Sequence, residues 1–457
     1  MTSRLLAPQA LLRDSWADDV VIEIDAGGTV VAVTPRADAR GAERLAGPVI
    51  PGMPDLHSHA FQRAMAGRAE RRGPSGGDSF WSWRETMYRF VARLGPDDAR
   101  AIAAQLHVEL LKSGYTGLAE FQYVHHAPDG SAYADPAEMS LAHLRAAGES
   151  GISLTLLPVL YTQGGFGGAP LAGTQTRFAN SPDGLLRIVE RVRTVAGPGT
   201  RVGVAAHSLR AVAPPALQAL VDGITRIDPS APIHVHAAEQ TKEVDDCVAW
   251  SGQRPIAWLL DHAPVDARWC LVHCTHLDDA EVPRLAASRA VAGLCPSTEA
   301  NLGDGVFRLP DYLAAGGHFG IGSDSQVARH PAEELRWLEY GQRLARLERN
   351  VAASVLRPSV GATLWDAAAR GGALALGRAA GVLTPGSVAD LLVLDGAHVD
   401  LTGRRGDEIL DALVFSGSSA LVRDVMVGGR WVVRERRHPA EDAIATRYRA
   451  AVARLLT

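Results

Sequence analysis

Cysteine is scarce in this chain. Cys247, Cys270, Cys274 and Cys295 are the only four in 457 residues, too few and too clustered to staple a small secreted fold. The N-terminal stretch MTSRLLAPQALLRDSWADDV has no apolar core followed by a small-residue cleavage site, so a secretory signal is not expected and a cytoplasmic location with free thiols is the simplest reading. Cys270 and Cys274 flank His273, but no second pair lies nearby to complete a structural zinc site, and both are expected to be packed, reduced thiols. Long apolar runs are missing too: no stretch reaches the roughly 18 residues that span a membrane. Nor is there an excess of one charge. With 46 basic and 51 acidic side chains the net charge is −5, which gives no reason to expect nucleic acid as a partner. The glycine cluster GGFGG at 164–168 comes without a GxGxxG or GK[ST] pattern, so it reads as a loop and not as a phosphate cradle.

What is present is enough chain for one large domain and an appended smaller one, with an ordinary apolar fraction of 47% and charged fraction of 21%. Short β-type runs lie at both ends: VVIEIDAG and TVVAVTP near the start, ADLLVLD at 389–395 and DVMVGGRWVVRER at 424–436, the last with a Gly-Gly turn in its middle. Residues 1–47 and 379–457 are therefore expected to form one small β-sandwich domain around a central insertion, residues 48–378. That insertion holds eight apolar runs, each followed by a segment of helical character: VIPGMPDLH (49–57), TGLAEF (116–121), ISLTLLPVL (152–160), RVGVAAH (201–207), PIHVHAAE (232–239), WCLVHC (269–274), AVAGLC (290–295) and HFGIGSD (318–324). Continuous apolar strands alternating with helices argue for a parallel sheet covered on both faces. Eight such units over roughly 280 residues fit an α/β fold of the (β/α)₈ TIM-barrel type, with a doubly wound open sheet as the alternative.

The polar residues sit where the runs end. His57 and His59 close the first run, Glu120 the second and His207 the fourth. His234, His236 and Glu239 belong to the fifth, His273 to the sixth and Asp324 to the eighth. In a barrel the C-terminal strand ends converge on one face, which carries the active site. Side chains two apart on a strand point the same way, so each H-x-H pair can aim two imidazoles at one point. Three imidazoles and a carboxylate suit Zn²⁺ or Fe²⁺ better than Mg²⁺, which prefers oxygen ligands.

PGMPDLHSHAFQRAMAG, HVHAAEQ, LVHCTHL and GIGSDS, with GVLTPGSVADLLVLD near the far end, resemble the amidohydrolase superfamily in order and spacing across essentially the whole chain. HSHAFQRAM, FWSWRETMY, AAHSLRAV and CPSTEANLGDGVF resemble, more narrowly, its formimidoylglutamate deiminase family. The resemblance implies one metal ion held by His57, His59, His236 and Asp324, with His234 a neighbour. Binuclear members bridge two metals with a lysine ending strand four; RVGVAAH has none, which places the chain with the mononuclear deaminases. It also implies hydrolytic deimination of N-formimino-L-glutamate in histidine degradation, with zinc as the expected metal and iron(II) as the alternative.

On that reading Asp324 accepts a proton from the attacking water, His273 orients the water and Glu239 carries a proton to the leaving nitrogen. Gln62 faces the formimino group. Arg84 and Arg210 serve as forks for the carboxylates of a small-molecule dicarboxylate substrate, and Tyr123 and His207 add hydrogen bonds. Glu120 is a candidate for supporting the ligands from behind, and Trp81 and Trp83 for packing. Barrels of this kind commonly pair, so a homodimer stands among the expectations, although no interface is legible. A deaminase or chlorohydrolase of heteroaromatic rings would use the same metal residues without needing two arginines. An inactive barrel acting as a binding protein would be expected to lack ligands.

Overall fold

A computed structural model of the chain describes residues 3–13, 15–71 and 80–456, without the side chains of residues 80–82. Trp81 thus lies outside the described side chains. Strands β1 (Ser3–Leu11), β2 (Trp16–Ile24), β3 (Val30–Pro35), β4 (Glu43–Arg44) and β5 (Val49–Pro51) precede β6 (Met53–Ser58), β7 (Tyr115–Gln122), β8 (Ser153–Leu160), β9 (Thr200–Val202) and β10 (Val204–Ser208). They are followed by β11 (Ile233–Ala237), β12 (Trp269–His273), β13 (Val291–Leu294), β14 (His318–Ile321), β15 (Leu391–Leu394), β16 (Val422–Val427) and β17 (Arg430–Val433).

The terminal strands join in one sheet, ordered β17-β16-β15-β5-β1-β2-β3, with β4 added along β1. Its two faces go to different cores, as strand alternation requires. Leu391, Val393 and Met426 pack with Leu5, Ile22 and Ile24 in a core of the sheet's own. Leu392, Leu394, Val425 and Val427 join the large core that the barrel and its helices share. This sandwich-like unit therefore packs on the barrel's core through one face of β15 and β16. The hairpin between β16 and β17 turns at Gly428 and Gly429, both at positive φ.

The second sheet runs β6-β7-β8-β10-β11-β12-β13-β14, all parallel, with β9 on β8. Its two edges meet through a bridge between Ser58 and Asp324, with Asp324 N–H donating to His57 O at 2.9 Å and His59 N–H to Asp324 O at 3.2 Å. The expected barrel is present, and its closing seam lies between residues expected to hold the metal.

Two runs read as single strands are in fact divided. VIPGMPDLH contributes β5 to the terminal sheet and β6 to the barrel, crossing over at Gly52; a Cβ there would sit 2.3 Å from Thr116 Cγ2, so no larger residue fits the crossing. RVGVAAH is split into β9 and β10. Strand β1, SRLLAPQAL, escaped the sequence reading because Pro8 and a Leu/Ala-rich composition do not mark a strand. It forms because β2, β4 and β5 all pair with it. The C-terminal helix Glu441–Leu456 lies on the barrel helix Pro96–Ser113, tied by Lys112–Glu441 at 2.8 Å and Arg454–Asp98 at 2.6 Å. Among the described residues no helix is long and apolar enough to cross a membrane.

Candidate metal and substrate site

The left-handed region is costly for residues with a Cβ and tends to mark functional positions. Three barrel strands lead into it at non-glycine residues: Ala238 (φ 55°) follows β11, His273 and Cys274 (71° and 52°) end β12, and Asp324 (43°) follows β14. Each stands at or just past the C-terminal end of its strand.

His57 Nε2 lies 3.2 Å from His59 Nε2 and 3.1 Å from His236 Nε2. Asp324 Oδ1 is 3.6 Å from both His57 Nε2 and His59 Nε2. His59 Nδ1 points at Phe121 O (3.2 Å) and His236 Nδ1 at His207 O (2.9 Å). A carbonyl can only accept, so both Nδ1 atoms carry the hydrogen and both Nε2 atoms present lone pairs. Burial, reinforced by the neighbouring imidazoles, lowers the pKa of His57 and His236 well below the usual value, and burial lowers that of His59 to about 3. These are three neutral rings with nitrogens converging at 3.1–3.2 Å. A single hydrogen on His57 Nε2 would have to be shared between two facing lone pairs, whereas a cation among them would engage all three nitrogens. Ligands about 2.0–2.1 Å from a zinc-sized ion stand roughly 3–3.5 Å apart, so the residues present fit a divalent ion.

His234 does not join them. It lies two residues lower on β11, its Nε2 2.8 Å from Ala375 O. The first H-x-H converges because His59 is already past the strand, capping the 3₁₀ turn Ala60–Ala64; the second stays on a straight strand with its rings a full repeat apart. Glu120 sits behind the site, accepting from Ala60 N–H at 3.0 Å. It thereby holds the turn that follows His59.

His273 faces Asp324 (3.9 Å) and Glu239 (3.7 Å) with Nε2 and Glu299 (3.3 Å) with Nδ1. Burial opposes its charge, but the three carboxylates together outweigh burial and raise its pKa to about 10. Burial raises Asp324 to about 7, against the pull of His273. Glu239 also meets Arg210 Nη2 at 3.7 Å, so it stands between an imidazole and a guanidinium.

The surrounding pocket is lined by Gln62, Arg84, Tyr123, His207, Arg210, His236, Glu239, His273 and Asp324 together with His59. Every residue expected to bind substrate thus opens onto the space beside the histidine cluster, and His57 lies fully buried beneath it. Gln62 is buried with its Oε1 lacking a partner among the described residues. Arg84 comes from the helix Phe80–Val91, along with Trp83, Met87 and Tyr88.

Sequence reasoning missed several contributors. Tyr88, Tyr161, Phe178, Thr298 and Ser325 also line the pocket. Asp55 accepts from Ser323 N–H (3.0 Å) and His57 N–H (3.3 Å), pinning the seam. Glu299 stands in the CPSTEANLGDGVF segment but on a short helix after β13, a position that strand-end counting does not reach. Cys295 Sγ approaches His273 and Asp324, yet burial first, then nearby carboxylates, raise its pKa well above the usual value and keep it a thiol. All four cysteines are free and buried, as expected.

Residues 49–432 match the amidohydrolase family model, and residues 2–47 match the N-terminal domain of the formimidoylglutamate deiminase HutF. The chain is 54% identical over 455 residues to the formimidoylglutamate deiminase of Pseudomonas aeruginosa, covering 99% of this chain and 100% of that one. Against the 5-methylthioadenosine/S-adenosylhomocysteine deaminase of Natronomonas pharaonis, identity falls to 27%, covering 98% and 95%. A crystal structure of an amidohydrolase from Brucella melitensis superimposes with a TM-score of 0.93 at 46% identity over the whole of both chains. An adenosine deaminase from Xanthomonas campestris with bound zinc shares the fold, with a TM-score of 0.82 at 21% identity over 99% and 98% of the two chains. With its seam-closed barrel, converging imidazoles and full-length similarity, the chain belongs to the amidohydrolase family and, within it, to the formimidoylglutamate deiminases.

Proposed function

We propose that this protein hydrolyses N-formimino-L-glutamate to N-formyl-L-glutamate and ammonia, using one zinc ion held by His57, His59, His236 and Asp324. Residues 48–378 form the working barrel in this reading, and residues 1–47 and 379–457 the β domain on which it rests. The observation that carries the reading is the presence of two guanidiniums, Arg84 and Arg210, in the same buried pocket as the imidazole–carboxylate cluster. A dianion buried without partners would lose several kcal/mol per charge; two arginines answer that requirement and a neutral ring would not need them.

A divalent ion supplies Lewis acidity and a water acidified to near-neutral pH. The chain's own residues supply the rest. Gln62 Oε1 is an open acceptor for an amidine N–H, and the arginines hold the carboxylate end, fixing the formimino carbon beside Asp324 and His273. Asp324 takes a proton from water as its oxygen bonds to that carbon. Glu239, protonated at the outset, delivers its proton to the terminal nitrogen of the adduct formed from the protonated amidine. The bond from carbon to that nitrogen breaks as ammonia leaves, and the hydroxyl proton passes to Glu239 as the C=O forms. The proton held by Asp324 goes to the ammonia, leaving a formyl group on the glutamate nitrogen. His273, held between Glu239, Asp324 and Glu299, stabilises charge as it develops.

The test is an ammonia-release assay on the purified protein. N-formimino-L-glutamate should be turned over with a kcat/KM at least roughly 10³-fold above any purine, pyrimidine or triazine, since discrimination by buried polar partners reaches that range. Preference for a ring substrate would overturn the assignment.

A further inference from the structure

Gln175 stands behind the pocket wall, on the 3₁₀ segment Gly173–Phe178 that also carries Phe178 into the pocket. Its amide orientation is determined by one contact: Ala172 N–H donates to Gln175 Oε1 at 3.2 Å. A backbone N–H cannot accept, so the opposite end is the NH₂. That end reaches Tyr161 OH at 3.3 Å and Tyr88 OH at 3.4 Å. Both phenol oxygens therefore accept from Gln175, and neither phenol hydrogen can be spent on it. Tyr88 and Tyr161 line the pocket with Arg84 and Arg210; the Arg84 guanidinium lies 5.5 Å from the centre of the Tyr88 ring. The ring of Phe178 is 5.6 Å from that of Tyr161 and 6.1 Å from that of Tyr88, which limits how far either can swing.

We infer that Tyr88 and Tyr161 are substrate-binding residues: polarised by Gln175, they point their O–H groups into the pocket and, with Arg84 and Arg210, complete the cradle for a carboxylate of the substrate. Gln175 is the positioning residue. Two arginines alone supply charge; two fixed hydroxyl donors add direction, which discriminates a planar carboxylate from other anions. The inference rests on the deiminase reading for its substrate, but only on a bound carboxylate for its chemistry.

The experiment uses Tyr161→Phe, Tyr88→Phe and Gln175→Glu, with steady-state kinetics on N-formimino-L-glutamate and on formamidine, and calorimetric titration with L-glutamate. Each Tyr→Phe change should raise KM for N-formimino-L-glutamate roughly 10-fold or more with kcat nearly unchanged, since a hydrogen bond to a charged group is lost without touching the reacting carbon. Gln175→Glu keeps the shape but turns a donor into an acceptor. It should draw both O–H groups away from the pocket and weaken KM at least as much as either phenylalanine. Activity on formamidine should stay level in all three. Unchanged KM in both tyrosine variants, or equal losses on the two substrates, would overturn the inference. If the wild type fails to release ammonia from N-formimino-L-glutamate, the deiminase reading falls. The titration then decides the cradle alone: weaker L-glutamate binding in the tyrosine variants upholds it and equal binding refutes it.

Discussion

Glu239 occupies a position that a proton carrier needs: buried, beside the pocket, and not among the converging metal-site nitrogens. Glu239→Gln should keep the fold and the metal yet lower kcat by roughly 10²-fold or more; near wild-type turnover would require another acid. For Arg84 and Arg210 the proposed role is a different one, holding the substrate's carboxylates. Each Arg→Met variant should cost about 2–4 kcal/mol in kcat/KM on N-formimino-L-glutamate, chiefly through KM, while barely affecting a formamidine without carboxylates. Equal losses on both would show that they support the site and do not bind substrate. Glu120 answers to pH. Burial outweighs its hydrogen bonds and raises its pKa from 4.5 to about 8. The folded chain then binds more protons than the unfolded chain between those values, so this group makes stability fall as pH rises from about 4.5 to about 8. Glu120→Gln still accepts from Ala60 but cannot ionise, and thermal melts should show a flatter loss of stability across that window. An unaltered slope would mean that Glu120 is ionised throughout.

Among the elements, the seam between β6 and β14 is the most exacting. A Cβ on Gly322 would lie 2.8 Å from both His57 Cβ and His57 O, so Gly322→Ala must push β14 away from the strand that bears His57 and His59. Overpacking of this kind costs about 1–3 kcal/mol; the melting temperature should drop, and elemental analysis should show metal loss in parallel. Full metal content in a destabilised variant would separate the seam from the site. Elements are also where the sequence was read best and worst. The eight runs were visible because parallel strands buried on both faces are continuous apolar stretches, and the site because its polar residues interrupt those stretches at their ends. The split of VIPGMPDLH at Gly52 was hidden, since nothing local distinguishes one strand from two in different sheets. Glu299, Gln175 and Tyr88 were hidden for another reason: they stand on helices and loops folded back over the barrel mouth, where no periodicity marks the inward side.

At the scale of the whole molecule, the terminal sheet, the barrel and the C-terminal helix are packed together so that one barrel mouth gathers an imidazole cluster, a buried glutamate and two arginines. That combination makes a specific chemical claim: water attacks the formimino carbon, and the terminal nitrogen departs. The addition intermediate bears two nitrogens, and expulsion of the other one would give formamide and L-glutamate instead. Mass spectrometry of the products formed in ¹⁸O-labelled water tests this most directly. Loss of the terminal nitrogen gives N-formyl-L-glutamate carrying one ¹⁸O in its formyl group, with one equivalent of ammonia. Formamide and unlabelled L-glutamate would contradict it.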